Sequence, residues 1–329
     1  WVIFLIATTV YLITAEPTVP WWDCGEYTAT ADKLQVGHPP GAPTFQLIGS
    51  LFSNLAGSDT SLVAYTMNAM SAICSGFTIL FLFWTITMLA KKLVKNKEEM
   101  TLGQMVAIFA SAVIGSLAYT FSDTFWYSAV ESEVYAMSSC FTAISFWAIL
   151  KWEAEADDSH NLRWLILIAF LVGISIGVHL LNLLAIPAIT YVFYFKKYPN
   201  VEKNKKRNFI LVGVISMLLV AVILYFIVPY IVIFAGKFEI FFTNSIGLPF
   251  NTGTIIYFVL LIGLLIAGVW YSIKKQKVIL NTALLSVLFI LIGYTTFFVL
   301  VIRSNANTPI NENAPKDATA LLTYLNREQ

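Results

Sequence analysis

Asp23 and Glu26 stand three residues apart in Trp21-Trp22-Asp23-Cys24-Gly25-Glu26-Tyr27, and His38 follows in Gly37-His38-Pro39-Pro40-Gly41. Carboxylates and imidazoles are proton-moving groups. A hydroxyl does not ionise near neutral pH, so a carboxylate that removes its proton accelerates its attack by roughly 10²–10⁴-fold. Three further polar groups occur downstream: Glu131 and Glu133, then His179 and Asn182, then Arg303, Asn305, Asn307 and Asn311. Each has a plainer reading. Asp23 and Glu26 could be first-turn acids of a helix starting near Tyr27. His38-Pro39-Pro40-Gly41 could be a rigid turn, Glu131 and Glu133 a solvated pair, His179 a packing residue, and Arg303 a snorkelling cation. Trp21, Trp22, Trp126 and Tyr127 suit an interfacial aromatic belt. The functional reading gains weight only if the four groups meet.

Whether they meet depends on the elements between them. The chain has 329 residues, 58% hydrophobic and 12% charged, with mean hydropathy +0.75. Soluble domains run near ~45–50% apolar and ~25% charged, so this composition indicates an all-α integral membrane protein. Cys24, Cys74 and Cys140 have neither metal-site spacing nor the pattern of a disulfide framework. No internal repeat or low-complexity tract is visible.

Apolar runs predict spans at 1–14, 65–90, 103–121, 134–151, 208–228, 255–273 and 278–301. The first is shorter than the ~20 residues of a full span and reads as the remainder of one. It carries no signal-peptide features. Residues 163–197 would make a helix of about 52 Å, so they are expected to break near His179 and Asn182 into two short spans. Nine spans result. Residues 41–56 carry Phe45, Ile48, Leu51, Phe52 and Leu55 at helical spacing with polar residues between. At about 24 Å this stretch is too short to cross and is expected to lie in the interface, within a loop covering 15–64. The expected organisation is a transmembrane unit over 1–302, then a segment at 303–329 leading toward a soluble portion. The run Leu321-Leu322-Thr323-Tyr324-Leu325 reads as a helix beginning there.

Charge assigns the sides. Of the 20 Lys and Arg residues, 15 lie in loops 91–101, 151–163, 196–207 and 274–277, and the rest on the opposite face. The positive-inside rule makes the basic loops cytoplasmic, so all four polar groups fall on the non-cytoplasmic face. Ionisable groups at membrane depth usually mark function. The acids of loop 151–163 read as a solvated helix end.

Asp23-Cys24-Gly25-Glu26 with Gly37-His38-Pro39-Pro40-Gly41 resembles bacterial membrane proteins of a domain-of-unknown-function family, similar to the eukaryotic plexin-type protein O-mannosyltransferases. Phe125-Trp126-Tyr127, Ala129-Val130-Glu131-Ser132-Glu133-Val134-Tyr135, Gly177-Val178-His179-Leu180-Leu181-Asn182-Leu183 and Arg303-Ser304-Asn305-Ala306-Asn307-Thr308-Pro309-Ile310-Asn311 carry the resemblance further. It also extends to the wider GT-C class of multi-span glycosyltransferases.

The resemblance implies a GT-C-like bundle in a bacterial inner membrane with its site facing the periplasm. The implied reaction moves a mannose-like sugar, with inversion, from a polyprenyl-phosphate donor to an acceptor such as a protein Ser or Thr hydroxyl. Asp23 would be the base, with Glu26 orienting the acceptor or sharing the load. Arg303 and His38 would face the departing phosphate. Glu131 or Glu133 with His179 would position the acceptor. These residues could also hold a divalent cation, since oxygen and imidazole ligands suit one; the sequence does not require it.

Two rivals remain open. A transporter or flippase of lipid-linked sugars would place ionisable groups near the bilayer midplane on broken helices, and a non-catalytic scaffold would leave the polar loops idle.

Overall fold

Lipid offers no partner for backbone N–H and C=O groups, so a chain this apolar is driven into helices that satisfy them internally. The computed structural model describes residues 1–94, 99–158, 160–198 and 204–328, and among these there is no named strand. Lys95, Lys97 and Lys203, which the charge count places in the basic loops, lie outside the described residues.

The helices in order are α1 (Val2–Thr14), α2 (Cys24–Asp32), α3 (Pro43–Ser53), α4 (Val63–Lys92), α5 (Leu102–Thr120), α6 (Asp123–Ala129), α7 (Val134–Ala154), α8 (Leu162–Ile176), α9 (Ala185–Lys197), α10 (Lys205–Val222), α11 (Val228–Ile240), α12 (Thr252–Lys274), α13 (Val278–Tyr294), α14 (Phe298–Asn305) and α15 (Ala318–Leu325).

Among the described residues, six helical stretches are long and apolar enough to cross a membrane: Thr60–Lys92, Leu102–Thr120, Val134–Ala154, Lys205–Ser245, Thr252–Lys274 and Val278–Asn305. The sequence reading expects nine. The difference lies in α1, α8 and α9, which have 13, 15 and 13 residues. At 1.5 Å per residue each reaches only about 20–23 Å, against a hydrocarbon core of about 30 Å.

The break between α8 and α9 falls where it is expected. Gly177 ends α8, and a 3₁₀ turn at Leu180–Leu184 follows. A side chain at Gly177 would run into the hydroxyls of Thr44 and Thr296.

The span expected at 208–228 is longer. Helix continues from Lys205 to Ser245 through two π turns, Ile223–Ile227 and Phe241–Ser245. Its 41 residues measure about 61 Å, so it projects beyond the ~30 Å core. Ile231, Val232 and Ala235 are buried in that extension, and α15 packs along it.

Helix α3 runs on into a 3₁₀ turn at Asn54–Ala56, and the two together cover nearly all of the predicted 41–56. With 11 residues α3 spans about 16 Å and cannot cross. Phe45, Gln46 and Gly49 are buried on its inner side while Leu51 and Leu55 remain exposed.

Charged residues mark one end of the bundle. Lys92 pairs with Glu153, Lys151 with Glu155 at 2.8 Å, Arg163 with Glu155 at 2.6 Å, and Lys196 with Asp157 at 3.0 Å. Three predicted basic loops thus meet at the ends of α4, α7 and α9. Helix α7 runs from Val134 to this end over about 31 Å, so Glu133, at its start, belongs to the opposite end.

Two apolar clusters hold that opposite end together. Tyr27, Ala31, Phe45, Met67, Met70, Val134, Met137 and Val178 join α2, α3, α4 and α7 to the α8–α9 break. Val36, Ile176, Ile231, Tyr294, Phe297, Leu300, Leu321 and Tyr324 join the loop before His38 to α11, α13, α14 and α15.

Candidate active site

The 36–41 loop is fixed from three directions. Val36 donates its N–H to Ile310 O at 3.1 Å and accepts from Glu312 N–H at 3.0 Å, which pairs it with the segment around Asn311. The Tyr324 hydroxyl, fully buried, donates to Gly37 O at 2.6 Å. A Cβ at Gly37 would meet Glu26 Oε1, so a side chain there would push that carboxylate out of its place. Gly41 has φ +80°, and a Cβ on it would sit 2.6 Å from the Tyr324 oxygen, so both its backbone angle and its space exclude a side chain.

These constraints set His38 against Glu26. Glu26 Oε1 accepts the His38 backbone N–H at 2.5 Å, and Oε2 lies 2.9 Å from His38 Nδ1. Nε2 is 3.9 Å from Asp23 Oδ2. Asp23 precedes α2 at the N-cap position, but its side chain makes no capping bond. Glu26 lies in the first turn of α2, as the helix-start reading expects.

Asp23 and His38 open onto a cavity of ≈ 460 Å³ that is also lined by Trp22, Tyr27, Pro40, Tyr127, Ser128, Glu131, Glu133, Val134, Tyr135, His179 and Arg327. Glu133 caps α7, accepting from Val134 N–H at 3.2 Å. Its buried carboxyl is raised by desolvation, with Asp23 adding to the rise and the Val134 bond and His38 opposing it. Glu131 makes no side-chain hydrogen bond among the described residues; burial first, and the neighbouring Glu133 second, push it up to about 7. Cys24 is buried beside this pair and pushed up to about 12, mainly by desolvation, so it remains a thiol. His179 accepts Leu181 N–H on Nδ1 at 3.1 Å, and burial lowers its pKa. The Tyr135 ring leans against it at 5.5 Å.

The structure thus brings Asp23, His38, Glu131, Glu133 and His179 around one cavity, with Glu26 directly behind His38. Asn182 sits below, fully buried, donating to Ser175 Oγ at 2.9 Å across the α8–α9 break.

The last polar group braces the site from outside. Arg303 donates to Leu34 O at 2.5 Å and Lys33 O at 3.0 Å, where α2 ends. Asn305 donates to Val301 O and Lys316 O, Asn307 accepts from Lys316 Nζ, and Asn311 donates to Ser304 O.

Among the described residues, Arg327 is the only Lys or Arg that lines the cavity; sequence reasoning counts it without assigning it a role. Its signal is a basic residue on the sparsely charged face, immediately after the helix-like run 321–325. Tyr27 and Tyr135, neighbours of the acidic motifs, are likewise missed. No group of three or more His, Cys, Asp or Glu side chains arranged to hold a metal ion occurs among the described residues.

The family model described as "Protein O-mannosyl-transferase TMEM260 N-terminal domain" matches residues 23–202. That range includes Asp23, Glu26, His38, Glu131, Glu133, His179 and Asn182. "Protein O-mannosyl-transferase tmem260" of Dictyostelium discoideum is 27% identical over 142 residues, 43% of this chain and 15% of that protein. "Protein O-mannosyl-transferase TMEM260" of Mus musculus is 23% identical over 174 residues, 53% of this chain and 22% of that protein. The matched stretches thus span under a quarter of the length of these relatives. No solved structure matches the chain.

Proposed function

Because the chain belongs to the protein O-mannosyl-transferase TMEM260 N-terminal domain family, we propose that its cavity is the site of a membrane O-mannosyltransferase. In this reading the donor is a polyprenyl-phosphate-linked mannose and the acceptor a protein Ser or Thr hydroxyl. The supporting observation is the meeting of Asp23, His38, Glu131, Glu133 and His179 around one cavity at the end of the bundle away from the Lys–Glu and Lys–Asp pairs.

The transfer proceeds with inversion. The acceptor oxygen attacks the anomeric carbon opposite the phosphate, the carbon–oxygen bond to phosphate breaks, and the electron pair leaves with polyprenyl phosphate. Asp23 receives the hydroxyl proton. His38 stands behind Asp23, steadied by Glu26. Arg327 is the cation available for the departing phosphate, where opposite charge stabilises what develops in the transition state. Arg303 supports this arrangement by holding the end of α2.

The family resemblance extends the reading to a GT-C-like architecture. We read the cavity as facing the non-cytoplasmic side, a reading supported by the crowding of basic residues at the other end. In a bacterial host that face is the periplasmic side of the inner membrane.

The test is a transfer assay with the intact protein, mannosyl-phosphoryl-polyprenol and Ser/Thr-containing peptides, read by mass spectrometry. Appearance of a peptide carrying one hexose supports the proposal. Movement of the lipid-linked sugar between vesicle leaflets without peptide modification would favour a flippase.

A further inference from the structure

We propose that the two cavity histidines are held with their Nδ1 atoms in opposite states, protonated at His38 and bare at His179, so that His179 offers Nε2–H as an uncharged donor to a hydroxyl of the transferred sugar. This rests on the mannosyl-transfer reading for its ligand, but the state of each Nδ1 follows from the hydrogen bonds alone.

A backbone N–H can only donate. The Leu181 N–H points at His179 Nδ1 at 3.1 Å, so Nδ1 is unprotonated and the ring proton sits on Nε2. At His38 the partner is reversed in kind. The Glu26 carboxylate already accepts the backbone N–H through Oε1 and faces Nδ1 with Oε2 at 2.9 Å. A carboxylate only accepts, so Nδ1 carries a proton, while Nε2 lies 3.9 Å from Asp23 Oδ2. The cavity therefore has a proton-donating nitrogen on its Tyr135 side.

The surroundings of His179 suit an uncharged polyol. Its ring is partly buried and packs against Tyr135, and Glu131 lines the same cavity. A neutral donor beside an aromatic ring recognises a sugar hydroxyl without demanding charge, whereas a phosphate draws on Arg327. The same geometry makes His179 a poor metal ligand, since Nδ1 is occupied and Nε2 is protonated.

Two measurements decide this. The chain has three histidines, so ¹⁵N-histidine labelling of the intact protein at pH 8, with His179→Asn and His38→Asn used for assignment, gives the protonation of each ring directly. Nδ1–H at His38 with Nε2–H at His179 is expected. A His179 ring protonated on Nδ1, or a His38 ring bare at Nδ1, overturns the proposal, whether or not mannose is transferred.

The second measurement compares two variants. His179→Asn keeps an oxygen to accept Leu181 N–H, as an N-cap residue does, but removes the Nε2 donor. His179→Gln places an amide N–H near the Nε2 position. His179→Asn is expected to bind mannosyl-phosphoryl-polyprenol about tenfold more weakly, as loss of one hydrogen bond implies, with bare polyprenyl phosphate unaffected and His179→Gln restoring most of the loss. Equal binding by all three proteins, or equal weakening toward both lipids, would remove His179 from the sugar.

Discussion

Glu26 grips His38 twice, accepting its backbone N–H at 2.5 Å and facing its Nδ1 at 2.9 Å. Twelve residues separate them in sequence, and the close approach depends on Gly37 lacking a side chain. Glu26 thus sets both the position of the imidazole behind Asp23 and the proton on its Nδ1.

Glu26→Gln should therefore act through His38 and not through substrate contact. The expected loss is on the order of 10²-fold in kcat, the lower end of what a general acid–base group contributes, with KM for the donor little changed. Steady-state kinetics of the folded variant would check this; a rise in KM with unchanged kcat would instead put Glu26 in contact with a substrate.

Glu131 gives a pH signature. Its carboxyl lies at about 7 in the folded protein against an ordinary 4.5, through burial and then Glu133. A group raised in the folded state binds its proton more tightly there, so its stabilising contribution is complete below 4.5 and is lost as pH climbs through about 7. Glu133 is raised in the same direction. Glu131→Gln should flatten the fall of Tm with pH across that window and leave the variant more stable than wild type at pH 8. An unchanged slope would show that Glu131 titrates normally.

The loop itself can be loosened by a single atom. Tyr324→Phe removes the buried hydroxyl that donates to Gly37 O and leaves that carbonyl unsatisfied, a cost of about 1–3 kcal/mol. Gly41→Ala meets both the left-handed backbone, at roughly 1–2 kcal/mol, and the Tyr324 oxygen. Both variants should unfold at lower temperature in detergent, and limited proteolysis should find residues 36–41 more accessible. Unchanged Tm and cleavage would mean that α15 does not fasten the loop.

Arg327→Ala should raise KM for the lipid donor while leaving Tm near that of the wild type, since Arg327 is exposed. Arg303→Ala should do the reverse, lowering Tm through loss of its bonds to Lys33 and Leu34. Donor titrations and thermal scans on both variants separate the two roles; a donor effect at Arg303 without a stability change would interchange them.

Those two arginines show where sequence reasoning runs out. Apolar runs, the α8–α9 break and an α3 too short to cross follow from length and helical rise, which are local properties. The meeting of Asp23, His38, Glu131, Glu133 and His179 was also legible, because the loops carrying them lie at one end of the bundle. Which cation faces the cavity was not legible. Arg303 and Arg327 lie on the same face, and only the docking of α15 on α11 and against Gly37 brings the second to the cavity. The reach of the Lys205–Ser245 helix was hidden for a different reason. Pro229 stands directly after the predicted span, where a helix is read as ending, whereas the structure carries the helix past it through the π turn at Ile223–Ile227.

The central claim is that Asp23 removes the acceptor proton during mannosyl transfer. The most direct measurement is the transfer rate of the intact protein carrying Asp23→Asn, with folding verified by its Tm and by binding of mannosyl-phosphoryl-polyprenol. With Asp23 as the base, kcat falls roughly 10²–10⁴-fold and donor binding is retained. Wild-type turnover by the folded Asp23→Asn protein would contradict that role.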